Sequence, residues 1–185
     1  HNINILETTM HTRDIPKLAN VANNKESISL KGLAYRLQSW DTDYGLDLDP
    51  EFQRGHVWKQ EHQIKFVEFI LRGGVAPIIM FNSPAYNDFV KSKLPDTVVL
   101  VDGKQRINAI LLFLDNKLPV FGGHYRKDIE GIDVLLKMKY ITVCVNSLTT
   151  EQEILQWYIE MNEGNVAHSE EEIIRVRKML TDISN

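Results

Sequence analysis

The run VVLVDGKQRINAILLFL, residues 98–114, constrains the fold more than any other stretch of this chain. Its first half is a β-branched apolar run, the pattern of a buried strand. Its second half is apolar at helical spacing, with Ile107, Ile110, Leu111 and Leu114 forming one stripe. A strand that turns directly into a helix calls for helices laid on a sheet. Between the halves stand Asp102, Gly103, Lys104, Gln105 and Arg106, five residues with little to pack.

The rest of the chain reads as further short elements. Leu30, Leu33, Ala34 and Leu37 follow helical spacing behind Ser29, a natural N-cap, and the stretch DTDYG breaks that helix. Tyr44, Leu46 and Leu48 alternate as a short strand. Ile64, Val67, Ile70 and Leu71 mark a helix stopped by Gly73 and Gly74. A buried strand is expected at 77–81, and another at 139–146 with Ile141, Val143 and Val145 on one face. Thr149 with Gln152, and Ser169 with Glu172, make capping-box patterns for two C-terminal helices, with Gly164 as the residue that ends the first. Residues 1–27 are weakly patterned, with one short strand expected near Ile3 to Leu6. The expected architecture is a single mixed α/β (α+β) domain over 1–185, a small mixed sheet with four or five helices.

Bulk properties exclude some functions. Apolar residues make up 43% of 185, enough for a sizeable core. A net charge of −4 argues against a surface built for indiscriminate DNA binding, though not against a local basic cleft. The single cysteine, Cys144, rules out an internal disulfide, fits a reducing, cytoplasmic setting, and reads as a buried thiol within a strand. No apolar run approaches the roughly 18 residues of a membrane span. The six histidines show no metal-ligand spacing, so no metal site is expected among them.

Two accounts fit the joint at 102–106. A helix N-terminus carries unpaired N–H groups and partial positive charge, Gly103 would let an anion come close, and Lys104 and Arg106 add cations. Arg106 falls about 90° from the centre of the apolar stripe, so it reaches a cleft from the helix flank. That is the profile of a phosphate site. The plainer account makes Asp102 and Gln105 a capping box and leaves Lys104 and Arg106 as solvated charges.

Two other segments raise the same choice. In DPEFQRGHVWKQEHQ, residues 49–63, Phe52 and Trp58 anchor a loop that carries Gln53, Arg54 and His56. Either the aromatics pin the loop to the core and Arg54 pairs with Glu51 or Glu61, or the loop holds a ligand. In YIEMNEGNVAHSEEEI, residues 158–173, Asn162, Gly164 and Asn165 lie between two helices. The stretch FGGHYR, residues 121–126, reads as a surface turn.

Taken together and in this order, FQRGHVW, VDGKQR and NEGNVAHSEEE resemble the N-terminal domain of GmrSD-type restriction proteins, of the ParB/sulfiredoxin-like superfamily. The resemblance runs from about 46 to 174 and implies a compact fold with a nucleotide- or nucleic-acid-binding cleft beside an Asp-Gly-Gln-Gln-Arg box. It implies nucleoside triphosphate with Mg²⁺ as ligand, hydrolysis that serves restriction of phage DNA, and a separate effector or nuclease subunit as partner. By position it casts Asp102, Gln105 and Arg106 as catalytic, and Gln53, Arg54, Gly103, Lys104, Arg106 and Asn162 as nucleotide or phosphate ligands. Lys104 stands where the family usually has Gln, which bears on hydrolysis more than on binding. Two alternatives stand beside a nucleotide-binding domain. One is a ParB-like DNA-binding module whose groove is lined by Arg54, Lys59, Lys65, Lys104 and Arg106. The other is a non-catalytic interaction or inhibitor protein.

Overall fold

A computed structural model describes residues 10–16, 18, 22, 24–53, 55, 57–86, 94–163 and 170–184. Five strands form one mixed sheet: β1 (Asn24–Ser29), β2 (Leu46–Asp47), β3 (Ile79–Asn82), β4 (Val98–Asp102) and β5 (Tyr140–Asn146), in the order β1-β5-β3-β4-β2. β5 runs antiparallel to β1 and parallel to β3, β4 runs antiparallel to β3, and the short β2 lies parallel to β4 at the edge. The described residues contain six α-helices, α1 (Leu30–Tyr44), α2 (Gln60–Leu71), α3 (Lys104–Leu114), α4 (Ile132–Met138), α5 (Glu151–Glu163) and α6 (Glu170–Ile183). This is the mixed α/β class the sequence implies, with one helix more than expected.

Alternation along the strands divides the apolar side chains between two layers. Ile79, Phe81, Val98, Leu100, Ile141, Val143 and Val145 pack with α1 to α4. Met80, Val101 and Cys144 pack with the α5–α6 pair, through Ile154, Leu155, Trp157, Tyr158, Ile159 and Val176. Burial pushes the Cys144 thiol up from its ordinary pKa, as expected for an inert buried thiol.

Most local expectations hold, with shifts that have physical causes. Ser29 Oγ accepts from Gly32 N at 3.1 Å and caps α1. That helix continues through DTDY, and Gly45, at φ 76°, ends it. Trp40, rather than Ala34, completes its buried face. At α5 the capping pair is one residue later than expected: Thr150 Oγ1 accepts from Glu153 N at 3.2 Å and Glu153 reaches back to Thr149 N. β1 carries no apolar signal beyond Ile28, because an edge strand buries one residue and leaves the rest polar. α4 is one short helix holding Ile132 and Leu136 against the core, too brief for a periodic signal. The FGGHYR segment is a turn closed by the Val120–His124 bridge. The expected strand near residues 3–6, Gly164 and Ser169 lie outside the described residues. No helix among the described residues is long and apolar enough to cross a membrane.

Candidate functional site

The joint is built by sterics. β4 holds its extended form through Asp102, and Gly103 then turns the chain at φ 119°, ψ 13° before α3 begins. A Cβ on Gly103 would sit 2.9 Å from Ile79 Cγ2, so both the backbone angle and the space require glycine. The first helical bond runs from Ile107 N to Gly103 O at 2.9 Å. Among the described residues no side chain caps this helix. The expected Asp102–Gln105 capping box is therefore corrected: Asp102 is still in the strand, and its carboxylate lies toward Arg106.

The charges around the joint come in pairs. Arg106 is only 8% exposed, and its Nη2 donates to Asp102 Oδ2 at 3.2 Å. Its Nη1 is buried and has no hydrogen-bond partner among the described residues. Lys104 donates to Asp49, which stands in the loop after β2. Two cations thus sit in the first turn of a helix that has no acid there. The helix dipole disfavours each by about 0.3–1 kcal/mol, because both lie at its positive end. Removing the Arg106 charge from water adds a further cost, which Asp102 only partly offsets while one N–H stays unpaired.

Three segments distant in sequence meet here. Gln105 Oε1 accepts from the Trp58 backbone N–H at 3.0 Å, tying the Gln-Arg loop to α3. Phe52 is buried in the α5–α6 layer, and its carbonyl accepts from Arg175 Nη2 of α6 at 2.9 Å. Trp58 packs edge-on against Phe66 with centroids 5.3 Å apart. A Cβ on Gly55 would lie 3.1 Å from Glu172 Oε1, and that same oxygen accepts from the Tyr158 hydroxyl at 3.0 Å. Burial raises the Tyr158 pKa well above the usual phenol range, and the Glu172 and Asp102 carboxylates raise it further. Tyr158 therefore stays a neutral donor beside the strand end.

The expected site residues divide into those brought together and those engaged elsewhere. Asp102, Gly103, Lys104, Gln105 and Arg106 form the joint itself. Gln105 has its carbonyl oxygen committed to the loop backbone. Asn162 is buried, and its Nδ2 donates to Tyr158 O at 2.7 Å, one helical turn back. Gln53 ends a short 3-10 turn, Glu51–Gln53, and its side chain lies outside the described residues, as does all of Arg54. Of the cations assigned to a DNA groove, Lys65 pairs with Glu61 at 3.4 Å, while Lys104 and Arg106 pair with Asp49 and Asp102. Sequence reasoning missed Tyr158, Glu172 and Arg175 as parts of this place. Of the three, only Glu172 carries a reading from sequence, as part of a capping box with Ser169. Their one legible signal is spacing: Glu172 and Arg175 are a turn apart on one face of α6. Among the described residues no three His, Cys, Asp or Glu side chains gather as a metal site.

Residues 37–135 fit the family model of the GmrSD restriction endonuclease, N-terminal domain. The match includes the loop and the joint, and ends before Asn162. No curated protein and no solved structure matches the chain. The matched stretch covers more than half of the 185 residues, and on that ground the chain belongs to the family of GmrSD restriction endonuclease N-terminal domains, which gives it a restriction-related role.

Proposed function

We propose that the N-terminus of α3 binds the phosphates of a nucleoside triphosphate, as the nucleotide-binding step of a restriction-related protein. One observation carries this reading: two cations stand in the first turn of α3 against its dipole, and the buried one keeps an unpartnered N–H. Stability alone disfavours that arrangement, whereas an anion at the uncapped helix end would satisfy the backbone amides, the guanidinium and the dipole together.

A nucleotide suits the pairing of charges better than a DNA backbone does. Each cation of the joint already has a carboxylate, so the place has little net field to attract a bare polyanion. Mg²⁺ is commonly held by one or two carboxylates plus the phosphates it arrives with, and Asp102 is the carboxylate at the strand end that fits that role. Gln105 acts as a tether for the loop rather than as a water-positioning group, since its Oε1 is engaged. Lys104 in place of the family's usual Gln supports binding and adds nothing to hydrolysis.

A thermal-shift series tests the proposal. One of the four ribonucleoside triphosphates with Mg²⁺ should raise the melting temperature, and Arg106→Ala should abolish the rise. No rise with any of the four rejects the reading. A rise that Arg106→Ala leaves intact moves the ligand elsewhere.

A further inference from the structure

We infer that Asp49 is a built-in competitor for the ligand's phosphate at Lys104, so that binding exchanges one anion for another at the first residue of α3. The inference rests on the reading of that helix end as a phosphate site. A helix N-terminus is not by itself a site. Here Arg106, 8% exposed with Nη1 unpartnered, reaches back to Asp102 across the strand–helix joint and marks the place independently.

The two acidic partners differ in kind. The Asp102 side chain is 14% exposed and belongs to β4, so its pairing with Arg106 is fixed by the sheet. The Asp49 side chain is 71% exposed and belongs to a loop, while its partner Lys104 is 27% exposed. Asp49 N donates to Asp47 Oδ1 at 2.9 Å, which shapes that loop just beyond β2. An exposed carboxylate on a loop is a weakly held partner, because its Coulomb gain is screened and its side chain pays entropy to stay. Lys104 is the opposite, a mostly covered cation at the positive end of a helix, unfavourable without an anion. When the ligand is absent, Asp49 supplies that anion. A phosphate group carries more charge and more acceptor oxygens, and displaces Asp49 into water, where a carboxylate is well solvated. Two consequences follow. Lys104 is a phosphate ligand whose strength is reduced by Asp49, and Asp49 keeps the empty site from collecting anions indiscriminately.

Isothermal titration with the triphosphate that binds best, with Mg²⁺, tests this in four proteins: wild type, Asp49→Asn, Lys104→Gln and the double variant. Asp49→Asn should tighten binding about threefold, the scale of an exposed ion pair. Lys104→Gln should weaken it several-fold, and the double variant should match Lys104→Gln alone. Circular dichroism melts establish that all four are folded. If wild type binds and Asp49→Asn binds no better, Asp49 does not compete, and the phosphate reading stands without this inference. If the tightening persists in the Lys104→Gln background, Asp49 acts as a general field and not through Lys104, which also overturns it. If neither wild type nor any variant binds any triphosphate, the inference and the phosphate reading fall together.

Discussion

The N-termini of α3 and α5 solve the same electrostatic problem in opposite ways. α5 begins with Glu151 and Glu153 in its first turn and is capped by Thr150 Oγ1. Its positive end is neutralised from within, and its backbone amides have a partner. α3 begins behind a glycine, has no side-chain cap among the described residues and puts Lys104 and Arg106 where α5 has acids. Both helices pack on the same sheet, so the contrast does not come from burial alone. α5 is finished as a structural element, whereas α3 is left incomplete in the one respect an anion would complete.

The largest expected effect comes from the residue that makes the α3 joint possible. Gly103→Ala should cost about 3 kcal/mol in urea unfolding, from a left-handed backbone angle and a Cβ pressed on Ile79. Trimming Ile79 to Ala, which removes both Cγ atoms that this Cβ would meet, should recover only the steric part of the loss when read against Ile79→Ala alone. Recovery of the whole loss would mean that the backbone angle matters little, and the joint would be less constrained than described.

Next in size is Tyr158, which sits on α5 yet faces the surroundings of α3. Tyr158→Phe removes a hydrogen bond to the Glu172 carboxylate and should cost about 1.5 kcal/mol near neutral pH. The phenol pKa is raised above its ordinary 10.0 in the folded state. Its contribution is therefore complete below about pH 10 and is lost as pH rises beyond that value, where the unfolded chain ionises first. Stability against pH should fall more gently above pH 10 in the variant than in the wild type. Identical alkaline limbs would remove Tyr158 from this account.

The smallest pair of effects sharpens the comparison itself. Thr150→Ala should destabilise by about 1 kcal/mol, the usual loss of a cap. Lys104→Gln should change stability by less than about 0.5 kcal/mol, since a weak pair with an exposed carboxylate is exchanged for relief from the dipole. A Lys104→Gln loss as large as that of Thr150→Ala would make Lys104 a structural residue and close the gap between the two helix ends.

The joint was legible because a β-branched run and a helical stripe meet at five polar residues, a pattern set by local sequence alone. Its chemistry was less so. Gln105 read as a cap or a catalytic amide, but its partner is a backbone N–H 47 residues away, which no local pattern encodes. Asn162 reads as a ligand contact, and the bond from its Nδ2 to the carbonyl a turn behind it is one that no sequence spacing encodes. The meeting of the loop, the joint and the α5–α6 pair followed from the family resemblance, not from periodicity. β1 and α4 were missed for lack of apolar residues and lack of length, respectively. The shift from Thr149 to Thr150 at α5 reflects adjacent threonines that sequence spacing cannot rank.

Backbone amide shifts recorded by NMR during titration with a ribonucleoside triphosphate and Mg²⁺ test the central contrast most directly. The largest changes should fall on the amides of residues 103–106, and those of residues 151–153 should barely move. Equal movement at both helix ends, or stillness at 103–106 while the nucleotide binds, would contradict the assignment of α3 as the end left open for an anion.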